Sequence, residues 1–286
     1  MAAHDDFYEG RRRLATMSFP RKARLNADNP TTLTPPSKLA MLKEARVALD
    51  LIRMLLPLAG AQLRPAASPR GSPIIVAPGF GSDNRYTRPL RHYLQRLGFR
   101  AEGWGLGLNL AGVNLEHQLD DLSGGWDVAR REVYNGEGSV PYLCDLFTDQ
   151  VHARFKHFGE PITLIGWSLG GYVAREAARD LPNAVCRVIT LGSPTIGGPK
   201  YTAAASFFAS RQMDMDWIET EVAKRESRPI QQPITAIVSR SDAIVSWAAA
   251  QDHYSPNVRH IEVNAAHLGM GFNPTIWRHI TQALAR

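Results

Sequence analysis

From residue 73 onward, short apolar runs alternate with segments of helical periodicity, and this rhythm restricts the fold more than any other feature of the chain. Pro73–Ala77 (PIIVA), Ile162–Trp167 (ITLIGW), Val185–Leu191, Ile234–Ser239 and Val258–Val263 read as strands, as does 99–104. Residues 86–97, 142–158, 169–179 and 274–285 read as helices, the last opened by Pro274, a residue suited to a first helical turn. Strands that are apolar on both faces need cover on both faces. The pattern therefore predicts an α/β fold, with a mostly parallel sheet of about six strands between two helical layers. In such sheets ligands bind beyond the carboxyl ends of the strands.

Two segments break the rhythm. Residues 105–140 are glycine-rich and weakly periodic, and a loop of that length usually serves a site or lacks order. Residues 195–233 are longer than a simple crossover needs, and carry Phe207, Phe208, Met213, Met215 and Trp217. They are expected to form a mostly helical cap over the site. The plainer reading is an enlarged crossover packed on the sheet edge.

The first 72 residues differ in character. They hold 12 Lys/Arg and 6 Asp/Glu, whereas the remainder holds 21 of each, so the whole net charge of +6 lies in this quarter of the chain. A basic catalytic groove for nucleic acid is thereby disfavoured. Residues 1–37 read as a tail and 64–72 as a linker. Residues 38–63 read as one helix with Lys43, Arg46, Asp50 and Arg53 on a narrow polar face. A helix otherwise so apolar must be covered. Packing on the main domain is the default, and peripheral membrane contact through residues 1–63 is the sharper alternative. On the membrane reading, removing 1–63 abolishes liposome binding and spares activity on soluble esters. No stretch of roughly 20 apolar residues is free of charge, and no signal-peptide pattern opens the chain, so a cytoplasmic location is expected. The two cysteines, Cys144 and Cys186, provide neither a disulfide framework nor a zinc ladder.

Chemistry concentrates at the strand ends. Gly166-Trp167-Ser168-Leu169-Gly170 joins a strand directly to a helix. A serine on so tight a turn is held with its hydroxyl exposed at the sheet edge, and the helix N-terminus aims the Leu169 N–H at the same point. Serine is a weak nucleophile without a base. Of nine histidines, His267 alone follows the last strand at its carboxyl end. Asp242 follows the fifth strand in Ser239-Arg240-Ser241-Asp242 and is the candidate to orient that base. Asp252 is the alternative but reads as helical. Pro78-Gly79-Phe80-Gly81 follows the first strand, so the Phe80 N–H can join that of Leu169 as an oxyanion donor.

With these residues in place, 73–286 resembles an α/β-hydrolase of the lipase-like kind. The segments PGFGSD, GWGLG, GWSLGG, LGSP, SRSD and HLGMG are similar to those of bacterial α/β-hydrolases known only as hydrolases or esterase/lipases. One departure is Thr195, which stands where many lipases carry histidine after Gly-Ser/Thr-Pro. The resemblance implies a carboxyl-ester hydrolase and names no substrate.

The expectation is therefore a serine hydrolase working through Ser168, Asp242 and His267, with no metal or organic cofactor. Trp167, Phe207, Phe208 and Met213 would line an apolar acyl pocket, favouring a small-molecule or lipid ester. An acyltransferase or thioesterase would use the same groups. A non-catalytic docking protein would be expected to have lost one of them.

Overall fold

The computed structural model describes residues 33–36, 44 and 71–286. The tail, helix and linker expected within residues 1–72 otherwise lie outside the described residues. Six strands form one sheet: β1 (Pro73–Ala77), β2 (Arg100–Gly103), β3 (Ile162–Trp167), β4 (Val185–Leu191), β5 (Ile234–Ser239) and β6 (Val258–Val263). Their order is β2-β1-β3-β4-β5-β6, and every neighbouring pair is parallel. All six carboxyl ends thus reach one edge. The helices are α1 (Asn84–Arg96), α2 (Ser139–Phe158), α3 (Leu169–Asp180), α4 (Ala205–Ser210), α5 (Met215–Arg225) and α6 (Pro274–Leu284).

The period-2 alternation of each strand divides the core into two layers. Ile75 and Ala77 of β1 and Leu164 of β3 face Phe147 and Val151 of α2 and Val173 of α3. Ile74, Val76 and Ile165 face the other way, toward Leu90 and Leu94 of α1 and Ile276 and Ile280 of α6. Strand β6 departs from the fully apolar expectation: Arg259, His260 and Glu262 are solvent-facing, as suits an edge strand.

Element ends move for local reasons. Helix α1 starts at Asn84 because the Asp83 carboxylate caps it, accepting from the Arg85 N–H at 2.7 Å. Helix α2 starts at Ser139, three residues before the sequence reading, since Pro141 fits a first turn whose N–H groups have no helical partner. Asp252 is not helical. It lies in a loop, 3% exposed, as the partner of Arg175.

Residues 195–233 carry α4 and α5 as an insertion between β4 and β5. A buried ion cluster ties this insertion to α3. Arg225 reaches Glu176 at 2.7 Å and Asp180 at 2.8 Å, and Arg179 reaches Glu226 at 2.9 Å. Burial alone would raise the Glu176 carboxyl, but Arg179 and Arg225 outweigh it and hold the group at about 2. No helix among the described residues is long and apolar enough to cross a membrane.

Candidate active site

Ser168 occupies the turn between β3 and α3 with φ 54° and ψ −128°, one of three described non-glycine residues at positive φ. Such a backbone costs on the order of 1–3 kcal/mol and persists only where the surroundings enforce it. Here the neighbours leave no alternative. A Cβ on Gly166 would lie 2.3 Å from the Gly170 carbonyl oxygen, and one on Gly170 would lie 2.5 Å from the carbonyls of Ala77 and Pro78. The turn therefore presses the start of α3 against the end of β1, bringing Ser168 beside the Pro78–Gly81 loop.

His267 follows β6 in a short 3-10 turn, His267–Phe272, and is 1% exposed. Its Nδ1 lies 2.7 Å from Asp242 Oδ2. The other Asp242 oxygen accepts from the Ile244 and Val245 N–H groups, each at 2.8 Å. The carboxylate is thus fixed on one side and free to hold the imidazole on the other, which selects the tautomer with its proton on Nδ1. Nε2 is left as the available base.

The backbone around His267 is fully engaged. Its carbonyl accepts from the Trp167 indole at 3.1 Å, and the Leu268 carbonyl accepts from the Tyr86 hydroxyl at 2.9 Å. The His267 and Leu268 N–H groups both donate to Glu44, at 3.0 and 2.9 Å.

Ser168 and His267 face one cavity of about 410 Å³, and no hydrogen bond joins their side chains among those of the described residues. Serine–base contacts often tighten only when substrate arrives. Phe80 and Leu169 border the same cavity. Neither backbone N–H finds an acceptor among the described residues.

The four residues expected to bind substrate all border this cavity: Trp167, Phe207, Phe208 and Met213. Phe80, Phe207 and Phe208 form one aromatic cluster with centroid separations of 5.2–5.9 Å. Trp167 has a second role. It is 5% exposed, stacks on Tyr86 at 3.8 Å and anchors the His267 carbonyl. The segment 105–140, whose purpose the sequence left open, supplies Trp126, Gly136 and Glu137 from its loop and Ser139 and Val140 from the start of α2 to the wall. The Asp145 carboxylate orders it by accepting from Ser123 and from the Trp126 indole at 2.6–3.1 Å.

Three further residues escaped the sequence reading. Asn109 is fully buried and braces the Pro78–Ser82 turn through its backbone and its amide. Trp126 lies against Arg225, whose guanidinium sits 4.1 Å from the ring. Glu44 had one visible signal: it is a charged residue off the polar face of the helix predicted over 38–63. No group of three or more His, Cys, Asp or Glu among the described residues is placed to hold a metal ion.

A six-stranded parallel sheet, a strained serine at the central strand-to-helix turn, and acid and histidine loops after the last two strands together define the α/β-hydrolase fold. The metagenome-derived lipolytic enzymes LipS and LipT share it: that structure superposes with TM-score 0.50 at 14% identity, over 77% of this chain and 95% of theirs. An esterase of Pyrococcus furiosus gives TM-score 0.46 at 16% identity, over 77% of this chain and 83% of its own. In sequence, the chain is 28% identical over 145 residues to the pimeloyl-[acyl-carrier protein] methyl ester esterase of Sodalis glossinidius. That match covers 50% of this chain and 47% of the esterase, so the similarity spans about half of either protein. No family model matches the chain.

Proposed function

We propose that the protein is a serine hydrolase that cleaves esters of apolar acyl groups through an acyl-enzyme. The observation that carries this reading is convergence. Ser168, His267, Phe80 and Leu169 all border one largely apolar cavity, and Asp242 holds His267 through Nδ1. Its volume falls in the range of small-ligand pockets, roughly 300–1,000 Å³.

His267 Nε2 takes the Ser168 proton as the hydroxyl oxygen attacks the ester carbonyl carbon. The carbonyl π electrons move onto oxygen, and the Phe80 and Leu169 N–H groups stabilise that charge. Asp242 holds the resulting imidazolium through Nδ1. His267 then protonates the departing alkoxide and the acyl–Ser168 ester forms. Water, deprotonated by the same imidazole, attacks this ester and returns Ser168. The acyl chain would lie among Phe207, Phe208, Met213 and Val222, where water is excluded. The pimeloyl ester cleaved by the Sodalis esterase belongs to the same class of chemistry.

The test is hydrolysis of chromogenic acyl esters from short to long chains by wild type and Ser168→Ala, with phosphonate labelling of Ser168 alongside. Loss of turnover by several orders of magnitude in the variant, and labelling confined to Ser168, are expected. The preferred chain length sizes the pocket. A folded wild type that neither hydrolyses any ester nor labels at Ser168 refutes the reading. Labelling without hydrolysis would move the assignment to transfer onto another acceptor.

A further inference from the structure

The Glu44 carboxylate receives three backbone N–H groups from the two loops that carry the acid and the base. One oxygen accepts from Ala243 at 3.1 Å and from His267 at 3.0 Å, and the other accepts from Leu268 at 2.9 Å. Ala243 follows Asp242 directly, so the residue spans both members of the His267–Asp242 pair. It does so from 199 to 224 positions away in sequence. Glu44 is 8% exposed, Ala243 is 0% and His267 is 1%.

The arrangement is demanding. Three N–H groups converging on one point, two of them from residues nearly closed to water, form an anion cradle. A cradle left empty would strand donors that need a partner. The chain fills it with its own carboxylate, and charge-assisted bonds of this kind are among the stronger ones available. The carbonyls of His267 and Leu268 are already held by Trp167 and Tyr86. The His267–Leu268 backbone is therefore clamped on both sides, and Glu44 is the clamp on its N–H side.

We infer that Glu44 is a positioning residue for catalysis: an N-terminal carboxylate that sets the distance and angle between His267 and Asp242. This rests on the reading of Ser168, His267 and Asp242 given above. It also reverses the expectation that removal of residues 1–63 spares activity on soluble esters, because that deletion takes Glu44 with it.

The test uses the full chain with Glu44→Ala and Glu44→Gln. Readouts are kcat and KM on the preferred ester, the rate of Ser168 labelling by a small fluorophosphonate, and thermal unfolding. Glu44→Ala should lower kcat and the labelling rate by roughly a hundredfold, since small misplacements of reacting groups are that costly. KM should stay within about twofold, because Glu44 is not among the residues that line the cavity. Glu44→Gln keeps an oxygen for Ala243 and His267 and turns an NH2 toward Leu268. It should recover roughly tenfold over the alanine variant. If Glu44→Ala does not fold, the glutamine variant decides, with the same split between kcat and KM and roughly a tenfold loss against wild type.

Three results overturn the inference. One is a folded variant with wild-type kcat and labelling. Another is a loss carried by KM. The third is failure of both variants to fold, which would make Glu44 a brace for the whole domain. A wild type inert to both ester and phosphonate fails earlier, at the assignment of Ser168, and is recognised by that.

Discussion

Asn109 offers the sharpest test of how the proposed oxyanion donors are held. Its amide nitrogen donates to the Pro78 carbonyl at 2.8 Å, and its amide oxygen accepts from the Ala111 N–H at 3.1 Å. Its backbone receives the Gly81 N–H at 2.7 Å and donates to Ser82 at 2.9 Å. Asn109→Ala keeps the backbone bonds and removes the other two. Pro78 O and Ala111 N are both buried, so each would be left unsatisfied at about 1–3 kcal/mol. With partial relaxation the expected loss of stability is about 2–4 kcal/mol, read from the urea midpoint at unchanged slope. Pro78 lies two residues before Phe80, and its release lets the Phe80 N–H drift from where charge develops. Full loss of one such donor costs roughly 10²–10³ in kcat, so a displaced donor should cost tenfold to a hundredfold with little change in KM. Asn109→Asp is the stricter variant: it nearly preserves shape while turning an acceptor toward the Pro78 carbonyl, and it should be no better than alanine. A folded Asn109→Ala variant with kcat within about twofold of wild type would show that the turn positions itself without the Asn109 amide.

Two further outcomes follow from the same contacts. Burial would raise the Glu176 and Asp252 carboxyls, but neighbouring arginines outweigh it and hold both at about 2, against ordinary values of 4.5 and 3.8. Groups depressed in the folded state stabilise it above their ordinary values and lose that contribution as pH falls toward 2. Urea midpoints should therefore fall steeply between about pH 4.5 and 2, and Glu226, raised by burial, changes its contribution only above its ordinary value of 4.5, outside this window; a flat profile between about pH 4.5 and 2 contradicts the assignment. Gly170→Ala places a Cβ 2.5 Å from two carbonyl oxygens of the β1 end. It should lower stability by several kcal/mol, about the scale of severe core disruption. A thermal unfolding curve matching wild type would refute the close approach.

The scaffold was legible because most of its strands are short, apolar and bounded by glycine, proline or charge. Five of the six strands have the very bounds predicted for them, including the edge strand Val258–Val263 with its three polar residues. Ser168, Asp242 and His267 were legible for the related reason that each follows a strand in a sheet whose carboxyl ends share one edge. What stayed hidden was whatever acts across long sequence separations without a pattern of its own. Asn109 and Trp126 lie in a glycine-rich loop, where neither period 2 nor period 3.6 applies. Their importance comes from where Pro78 and Asp145 happen to lie in space. Glu44 was hidden by its context, since a lone charge off the polar face of an apolar helix has no assigned partner until its three N–H donors are in view.

The ion cluster beneath the cavity shows why an apolar pocket needs polar foundations. Arg225 meets Glu176 and Asp180 of the helix that follows Ser168 on one side and the Trp126 ring on the other. Arg175 likewise links that helix to Asp252 and to Glu226, just past the end of α5. Buried pairs of this kind contribute little net stability over apolar packing, because both charges must be desolvated. Their directional bonds, however, admit one arrangement, whereas greasy surfaces slide. In this protein they fix the insertion helix and the Trp126 loop against the same helix whose first turn presents Ser168. The shape of the cavity wall and the place of Ser168 on it are thereby set by one rigid element, and a change in either would have to begin by breaking buried charge pairs.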